Sequence, residues 1–200
     1  KAVNFYKASS ASAILVNLKN RNILAMANYP SFDPNNRRSI DVSLLSNRAV
    51  TDLFEPGSTI KPLSLAWLLE DKIINNNTKI ETSPGFIDYK GFITKDFKNY
   101  GFIDLSEVIS KSSNVAMVKL CDKAEADSII KNLYRWGFGR YMNEIFISTR
   151  EGYLPNSENL SDREKVSLCY GYGMQITLAQ LVAAYSALFD EGNIKGLNLI

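Results

Sequence analysis

The chain has no histidine among its 200 residues. That absence removes Ser-His-Asp and Cys-His catalysis and every His-ligated metal centre. Any hydrolase or transferase built from these residues must take its base from a lysine or a carboxylate. Cysteine is nearly absent too: Cys121 and Cys169 are the whole complement, with no C-x-x-C spacing, which points away from a metal site or a disulfide framework. We read them as buried free thiols and leave a bridge between them open. No apolar run approaches the length of a membrane span. No basic block interleaved with aromatics suggests a nucleic-acid footprint, and the net charge of +2 arises from mixed signs along the chain. There is no initiator Met and no signal peptide at Lys1-Ala2-Val3-Asn4, and the chain closes on the apolar, extended-looking Asn198-Leu199-Ile200. Both ends read as those of a piece excised from something longer.

What is present suffices for one ordinary domain: the hydrophobic fraction is 46%, a globular value. Residues 1–7 read as the close of a helix. Two strand-forming runs, Ser12 to Leu18 and Ile23 to Tyr29, flank the polar turn Lys19-Asn20-Arg21-Asn22 and read as an antiparallel hairpin. Pro30 to Asn36 is a loop by composition. From Thr59 to Leu69 apolar residues fall on so many sides that the helix they predict is a buried one. Residues 75–104 read as polar, aromatic and irregular. Leu105 to Lys123 predicts two short helices with Ser112-Ser113-Asn114 at their junction, and Asp127 to Trp136 a further helix stopped by Gly137. Residues 148–160 read as a loop. Ser161 with Glu164 forms a capping-box pattern, and Thr177 to Glu191 predicts an amphipathic helix ended by Gly192. Two strands do not make a stable sheet alone, so the hairpin requires partner strands, which we expect C-terminal to this chain.

Two motifs carry chemistry. Ser58-Thr59-Ile60-Lys61 is an S-x-x-K at the start of the buried helix. Residues three apart share a helix face, which puts the amine within reach of the hydroxyl. A serine hydroxyl needs a base, a desolvated lysine with a lowered pKa is one, and the helix N-terminus favours a developing anion. Ser112-Ser113-Asn114 is an S-x-N, in which a second serine can relay a proton and an amide can hold a substrate carbonyl. Each motif alone is weak: S-x-x-K arises by chance, and Ser-Ser-Asn is commonly a turn or cap. S-x-x-K, an S-D-N-type triplet and K-T-G together mark penicillin-binding proteins and class A β-lactamases. Two of the three occur here in order, and no Lys-Ser/Thr-Gly is present, Lys195-Gly196 being no match.

The flanks strengthen the reading. Asn47 to Pro62, including Glu55-Pro56-Gly57-Ser58, closely resembles the nucleophile segment of class B penicillin-binding proteins. Ala11 to Asn35 resembles that family's first hairpin and the loop after it. Lys111 to Met117 resembles its second motif, and Tyr170-Gly171-Tyr172-Gly173-Met174-Gln175-Ile176-Thr177 the stretch before its late helix. The Ser-Ser-Asn triplet and the Gly-Tyr-Gly stretch resemble the division-specific (septal) peptidoglycan D,D-transpeptidases. Leu178, where the family usually has Pro, departs at a position that favours Pro without needing it.

The resemblance implies an α+β (α/β) fold of the penicillin-binding protein/β-lactamase-like serine transpeptidase type. An antiparallel sheet is flanked by helices, with an all-helical subdomain beside it and the active site between them. On that basis residues 1–200 form a single truncated transpeptidase domain: hairpin about 11–29, nucleophile helix about 57–70, helical subdomain about 70–165, late helix about 177–191. It implies Ser58 as nucleophile, Lys61 as its base, Ser112 as a proton relay and Asn114 as the residue that orients the acyl donor. It also implies peptidoglycan stem peptides as substrates, β-lactams as inhibitors, and no metal or organic cofactor. The wider expectation is a membrane anchor and pedestal domain upstream, a periplasmic location on the inner membrane, and the septal glycan polymerase and other division proteins as partners. The family's Lys-Thr/Ser-Gly strand, which supplies an oxyanion donor opposite the Ser58 N–H, falls beyond Ile200, so the 200 residues are expected to be inactive alone; one lost donor costs about 100- to 1,000-fold in rate. Glu55 reads as structural rather than as a base, Tyr170 and Tyr172 as either cleft wall or core, and the aromatics between Phe86 and Phe102 as local packing. The competing functions are a β-lactam-hydrolysing or β-lactam-sensing relative and a non-catalytic division scaffold.

Overall fold

The computed structural model describes residues 1–36, 41–141 and 148–199. Ile200, the end of the extended tail read from the sequence, lies outside them, as do residues 142–147 of the stretch expected to be helical. In chain order the elements are α1 (Ala2–Tyr6), β1 (Ala11–Val16), β2 (Ile23–Tyr29), α2 (Arg48–Thr51), α3 (Lys61–Glu70), β3 (Lys79–Glu81), β4 (Phe86–Tyr89), β5 (Phe92–Lys95), β6 (Phe102–Asp104), α4 (Leu105–Ser110), α5 (Asn114–Cys121), α6 (Ala126–Arg135), α7 (Asp162–Leu168) and α8 (Leu178–Ala187). They fall into two compact units.

The first unit comprises Lys1–Phe54, Gly139–Gly152 and Ile176–Ile200. β1 and β2 pair antiparallel, Ala13 opposite Ala27, with an irregularity between Leu15 and Val16. The strand period of two sends Ile14, Val16 and Met26 to one side. There they pack with Ile23, Val50, Ala179, Ala183 and Leu197, so that the hairpin, α2 and α8 share one core. α8 begins where the sequence predicts, because Thr177 and Gln180 form a full capping box. It ends four residues earlier than the apolar pattern suggests, at Ala187, and turns replace helix from Leu188 to Asn193. Arg21, only 3% exposed, pairs with Asp190 at 3.0 Å and also donates to the Asn193 carbonyl, which ties the hairpin turn to the end of α8.

The second unit comprises Glu55–Phe138 and Tyr153–Gln175. At its centre α5 buries Val115, Ala116, Met117, Val118, Leu120 and Cys121 and touches α7, β3, β4 and β5. A helix that is apolar over most of its surface is stable only when other elements cover it. Each fully buried aliphatic side chain is worth about 1.5–3 kcal/mol, so this helix holds the unit together. α3 buries Leu63, Leu65, Trp67 and Leu68 in the same way.

Two expectations are corrected here. The stretch read as irregular, 75–104, holds four short strands in two antiparallel ladders, β3 with β6 and β4 with β5, so this unit is not helices alone. Strands of three and four residues are too short to show a period of two in sequence, and Gly85, Gly91 and Gly101 punctuate them. Cys121 and Cys169 are not free thiols: they form a disulfide that joins the last turn of α5 to the C-cap of α7 across 48 residues of chain. Spacing along the chain carries no sign of that convergence. Closing a loop of this length restricts the unfolded chain by roughly 4 kcal/mol in the chain-entropy model. Accordingly, thiol titration of the non-reduced, denatured protein should find neither cysteine reactive, and the double substitution Cys121→Ser/Cys169→Ser should lower the unfolding free energy by roughly 2–4 kcal/mol in denaturant titration.

Candidate active site

Ser58, itself exposed, occupies a 3-10 turn, Gly57–Ile60, that runs directly into α3 at Lys61, with Pro62 in the first turn of the helix. Proline is favoured there because its missing N–H is not needed. Lys61 is 1% exposed. A buried ammonium is tolerated only if its donors are met. Nζ of Lys61 donates to the Ser112 carbonyl at 2.6 Å, to Asn114 Oδ1 at 2.8 Å and to Ser112 Oγ at 3.0 Å. Ser112 Oγ in turn donates to Ser58 Oγ at 2.9 Å. Ser58, Lys61, Ser112 and Asn114 therefore stand together. Among the described residues the amine does not bond Ser58 directly; the hydroxyl of Ser112 stands between them. This differs from the direct reach that helical spacing suggests, because Ser58 lies on the tighter turn before α3 while the lysine extends to the α4–α5 junction.

Burial pushes the Lys61 amine down to about 8, and the Asp96 carboxylate opposes that shift. A lysine in this range is deprotonated in a useful fraction near neutral pH and can serve as a base. The Ser112 hydroxyl, with both a donor and an acceptor capacity, can pass a proton from Ser58 to the neutral amine once the hydrogen-bond directions reverse. The Asn114 carbonyl is used by Lys61, and its amide NH2 makes no hydrogen bond to another described residue. The same is true of the Ser58 N–H.

The junction that carries Ser112 is braced from both sides. α4 is opened by a capping box of Asp104 and Glu107 and ends just before Ser112, whose φ of +53° lies in the left-handed region. That conformation costs a residue with a side chain roughly 1–2 kcal/mol. It is held by the Ser112 and Ser113 N–H groups, which donate to Ile109 and Val108, and by the Lys61 bond to the Ser112 carbonyl. The buried Ser113, the middle residue of the triplet, N-caps α5 by accepting from the Ala116 N–H at 3.0 Å.

Asp96 was not visible as a site residue in the sequence. It follows β5, accepts from Ser113 Oγ at 2.6 Å, and takes the N–H groups of Asn114 and Val115 at 2.6 and 3.0 Å on its other oxygen. A single carboxylate thus satisfies the first-turn donors of α5 and places negative charge near Lys61. The residue stands between Lys95 and Phe97 in no motif, and only the fold brings it to the triplet.

The two tyrosines divide. Tyr170 is buried, while Tyr172 is 47% exposed and meets it edge-to-face at 5.7 Å between ring centroids. Tyr172 lines a cavity of about 370 Å³ with Ser161, Arg163, Glu164, Ser167 and Gly173. Among the aromatics of 86–102, Tyr89 is buried and its hydroxyl bonds Asp122, and Tyr100 packs under Lys111. Phe97 and Phe102 are 95% and 71% exposed, which overturns local packing as the account of those two. Among the described residues no group of three or more metal-ligating side chains converges, and no helix is long and apolar enough to cross a membrane. Replacing Asp96 by alanine orphans three donors at once; Asp96→Ala should lower stability by about 2–4 kcal/mol in denaturant titration, with Asp96→Asn, which keeps one acceptor oxygen, losing less.

This geometry agrees with relationships to known proteins. Residues 11–200 match the penicillin binding protein transpeptidase domain family. The chain is 38% identical over 199 residues to the peptidoglycan D,D-transpeptidase FtsI of Buchnera aphidicola subsp. Schizaphis graminum, covering 100% of this chain and 35% of that protein. It is 35% identical over 198 residues to FtsI of Escherichia coli strain K12, covering 99% of this chain and 33% of that protein. The solved transpeptidase domain of Burkholderia pseudomallei penicillin-binding protein 3 superimposes with a TM-score of 0.85 at 27% identity, covering 96% of this chain and 54% of that one. The chain spans about a third of the length of the curated relatives it matches. With the S-x-x-K and S-x-N residues joined through one hydroxyl in a mixed fold of helices and small antiparallel sheets, the chain belongs to the penicillin-binding protein transpeptidase domain family.

Proposed function

We infer that the protein containing this chain is a peptidoglycan D,D-transpeptidase that cross-links stem peptides through an acyl-serine intermediate. The observation that carries the reading is the chain of contacts from Ser58 Oγ through Ser112 Oγ to the buried Lys61 amine.

In this mechanism neutral Lys61 draws the Ser58 proton through Ser112. Ser58 Oγ attacks the carbonyl of the penultimate D-alanine of a stem peptide, forming a tetrahedral oxyanion at the Ser58 N–H. Collapse breaks the D-Ala–D-Ala bond. The leaving amine takes the proton back from Lys61 by way of Ser112, and terminal D-alanine departs. Asn114 orients the donor through its amide NH2. The amine of a second stem peptide then attacks the acyl ester, gives its proton to the same relay, forms the cross-link and restores the Ser58 hydroxyl. β-Lactams mimic the donor and acylate Ser58. The names of the relatives and the Ser-Ser-Asn triplet support a septal role. On that reading the protein works on the periplasmic face of the inner membrane, with a glycan polymerase and other division proteins as partners.

Intact-mass spectrometry of the full-length protein after exposure to a fluorescent penicillin tests this. The expected result is one covalent adduct mapping to Ser58, lost in Ser58→Ala. No adduct on the folded protein would sink the transpeptidase reading and favour a scaffold, and fast turnover of the β-lactam would favour a hydrolytic relative.

The pH dependence follows from Lys61. The reactive form is the neutral amine, so acylation should rise about tenfold per pH unit below the lysine's pKa of about 8 and level off above it. Asp96 raises that pKa. In Asp96→Asn the midpoint of the stopped-flow acylation profile should therefore move to lower pH.

A further inference from the structure

The turn that carries Ser58 has four residues, too few to hold its own geometry, so its shape is set by what it leans on. Two contacts hold the residues just before Ser58, and both come from the segment Gly171 to Gly173. The Gly57 N–H donates to the Gly171 carbonyl at 3.0 Å, and the Gly173 N–H donates to Glu55 Oε1 at 2.8 Å. The approach at Gly171 is main chain on main chain. A Cβ there would lie 2.1 Å from the Gly57 oxygen, 2.5 Å from its nitrogen and 2.7 Å from its carbonyl carbon. None of these atoms can swing away as a side chain can. Gly57 is glycine for another reason: its φ is +55°, while a Cβ on it would meet only the Tyr172 hydroxyl, at 3.8 Å.

The segment is itself anchored. The Gly171 and Tyr172 N–H groups close onto Leu168 and Ser167 at the end of α7. Two residues before Gly171, Cys169 is bridged to Cys121 at the end of α5, and its carbonyl accepts from Ser64 Oγ of α3 at 2.9 Å. The support for the nucleophile turn is thereby tied to the two helices that begin at Lys61 and Asn114.

We propose that Gly171 and Glu55 are positioning residues for Ser58: the Gly171–Gly173 segment is the template on which residues 55–58 are shaped, and it fixes the placement of the Ser58 hydroxyl and N–H. Neither residue touches substrate. Glu55 acts as a hydrogen-bond acceptor for Gly173 and not as a base. The proposal rests on Ser58 being the nucleophile.

The test is stopped-flow acylation of the full-length protein by a chromogenic cephalosporin over a concentration series, which separates reversible binding from the acylation rate constant, with thermal unfolding of each variant alongside. Gly171→Ala should lower the rate constant about 100-fold, the scale of a misplacement of about 1 Å, with binding little changed. Glu55→Ala should lower it about tenfold, the loss of one hydrogen bond. Glu55→Gln, which keeps the acceptor oxygen, should stay within about twofold of wild type. Asn132→Ala, which removes a buried hydrogen bond within α6, should lower the melting temperature without slowing acylation. Variants that melt lower but acylate at the wild-type rate would overturn the proposal, since that is what a merely structural role predicts. A Glu55→Gln protein as slow as Glu55→Ala would overturn it too, because it would mark the charge or proton of Glu55 as the working property. Should Gly171→Ala fail to fold, the two Glu55 variants decide. A wild-type protein that is never acylated at Ser58 is a different failure: it removes the transpeptidase reading, and this proposal with it.

Discussion

A lysine that is 1% exposed is the constraint from which the site follows. An ammonium out of water needs acceptors for all its protons, and three oxygens supply them: one main-chain carbonyl, one hydroxyl and one amide carbonyl, all from Ser112 and Asn114. The same burial that demands those acceptors also weakens the proton's hold. Structural pairing and chemical readiness thus have one cause, which explains why the residues of the second motif need to be a serine in a left-handed conformation followed, two places on, by an asparagine.

The surroundings hold that arrangement in place. Asp96 satisfies the start of α5 and adds the charge that keeps Lys61 from being pushed down further. α5, which buries six of its eight residues, is held in the core and joined at its far end to α7 through Cys121 and Cys169. From the C-cap of α7 the chain passes into Gly171–Gly173, which presses against the main chain before Ser58. Ser58 and Lys61 therefore belong to a closed circuit of covalent and hydrogen-bonded links, all within the second unit.

How much of this could be read beforehand depends on range. Local signals were legible. The capping box at Ser161, the start of the late helix at Thr177, the junction between two short helices at Ser112–Asn114 and the hairpin with its turn at Lys19–Asn22 each depend on residues within a few positions of one another, and each appears in the structure. The four motif residues stood out through their type and the flanks that accompany them, and the structure brings them together. The β3–β6 and β4–β5 ladders were not, because strands of three or four residues leave no periodicity. Nor was the exposure of Phe97 and Phe102, since an aromatic's burial depends on whether another element covers it.

By itself the sequence determined the chemistry on offer. With no histidine, any base had to be a lysine or a carboxylate; with S-x-x-K and S-x-N in family-like flanks, Ser58, Lys61, Ser112 and Asn114 stood out as the candidates. The tertiary structure alone decided how they connect: that Ser112 stands between Ser58 and Lys61, that Asp96 joins them, that two distant cysteines meet and that Gly171 has no room for a side chain. Those facts concern atoms brought within a few ångströms by chain segments many residues apart. Local propensity and spacing encode which groups a segment carries and how it begins and ends, whereas the distance between two segments is set only when the whole core packs.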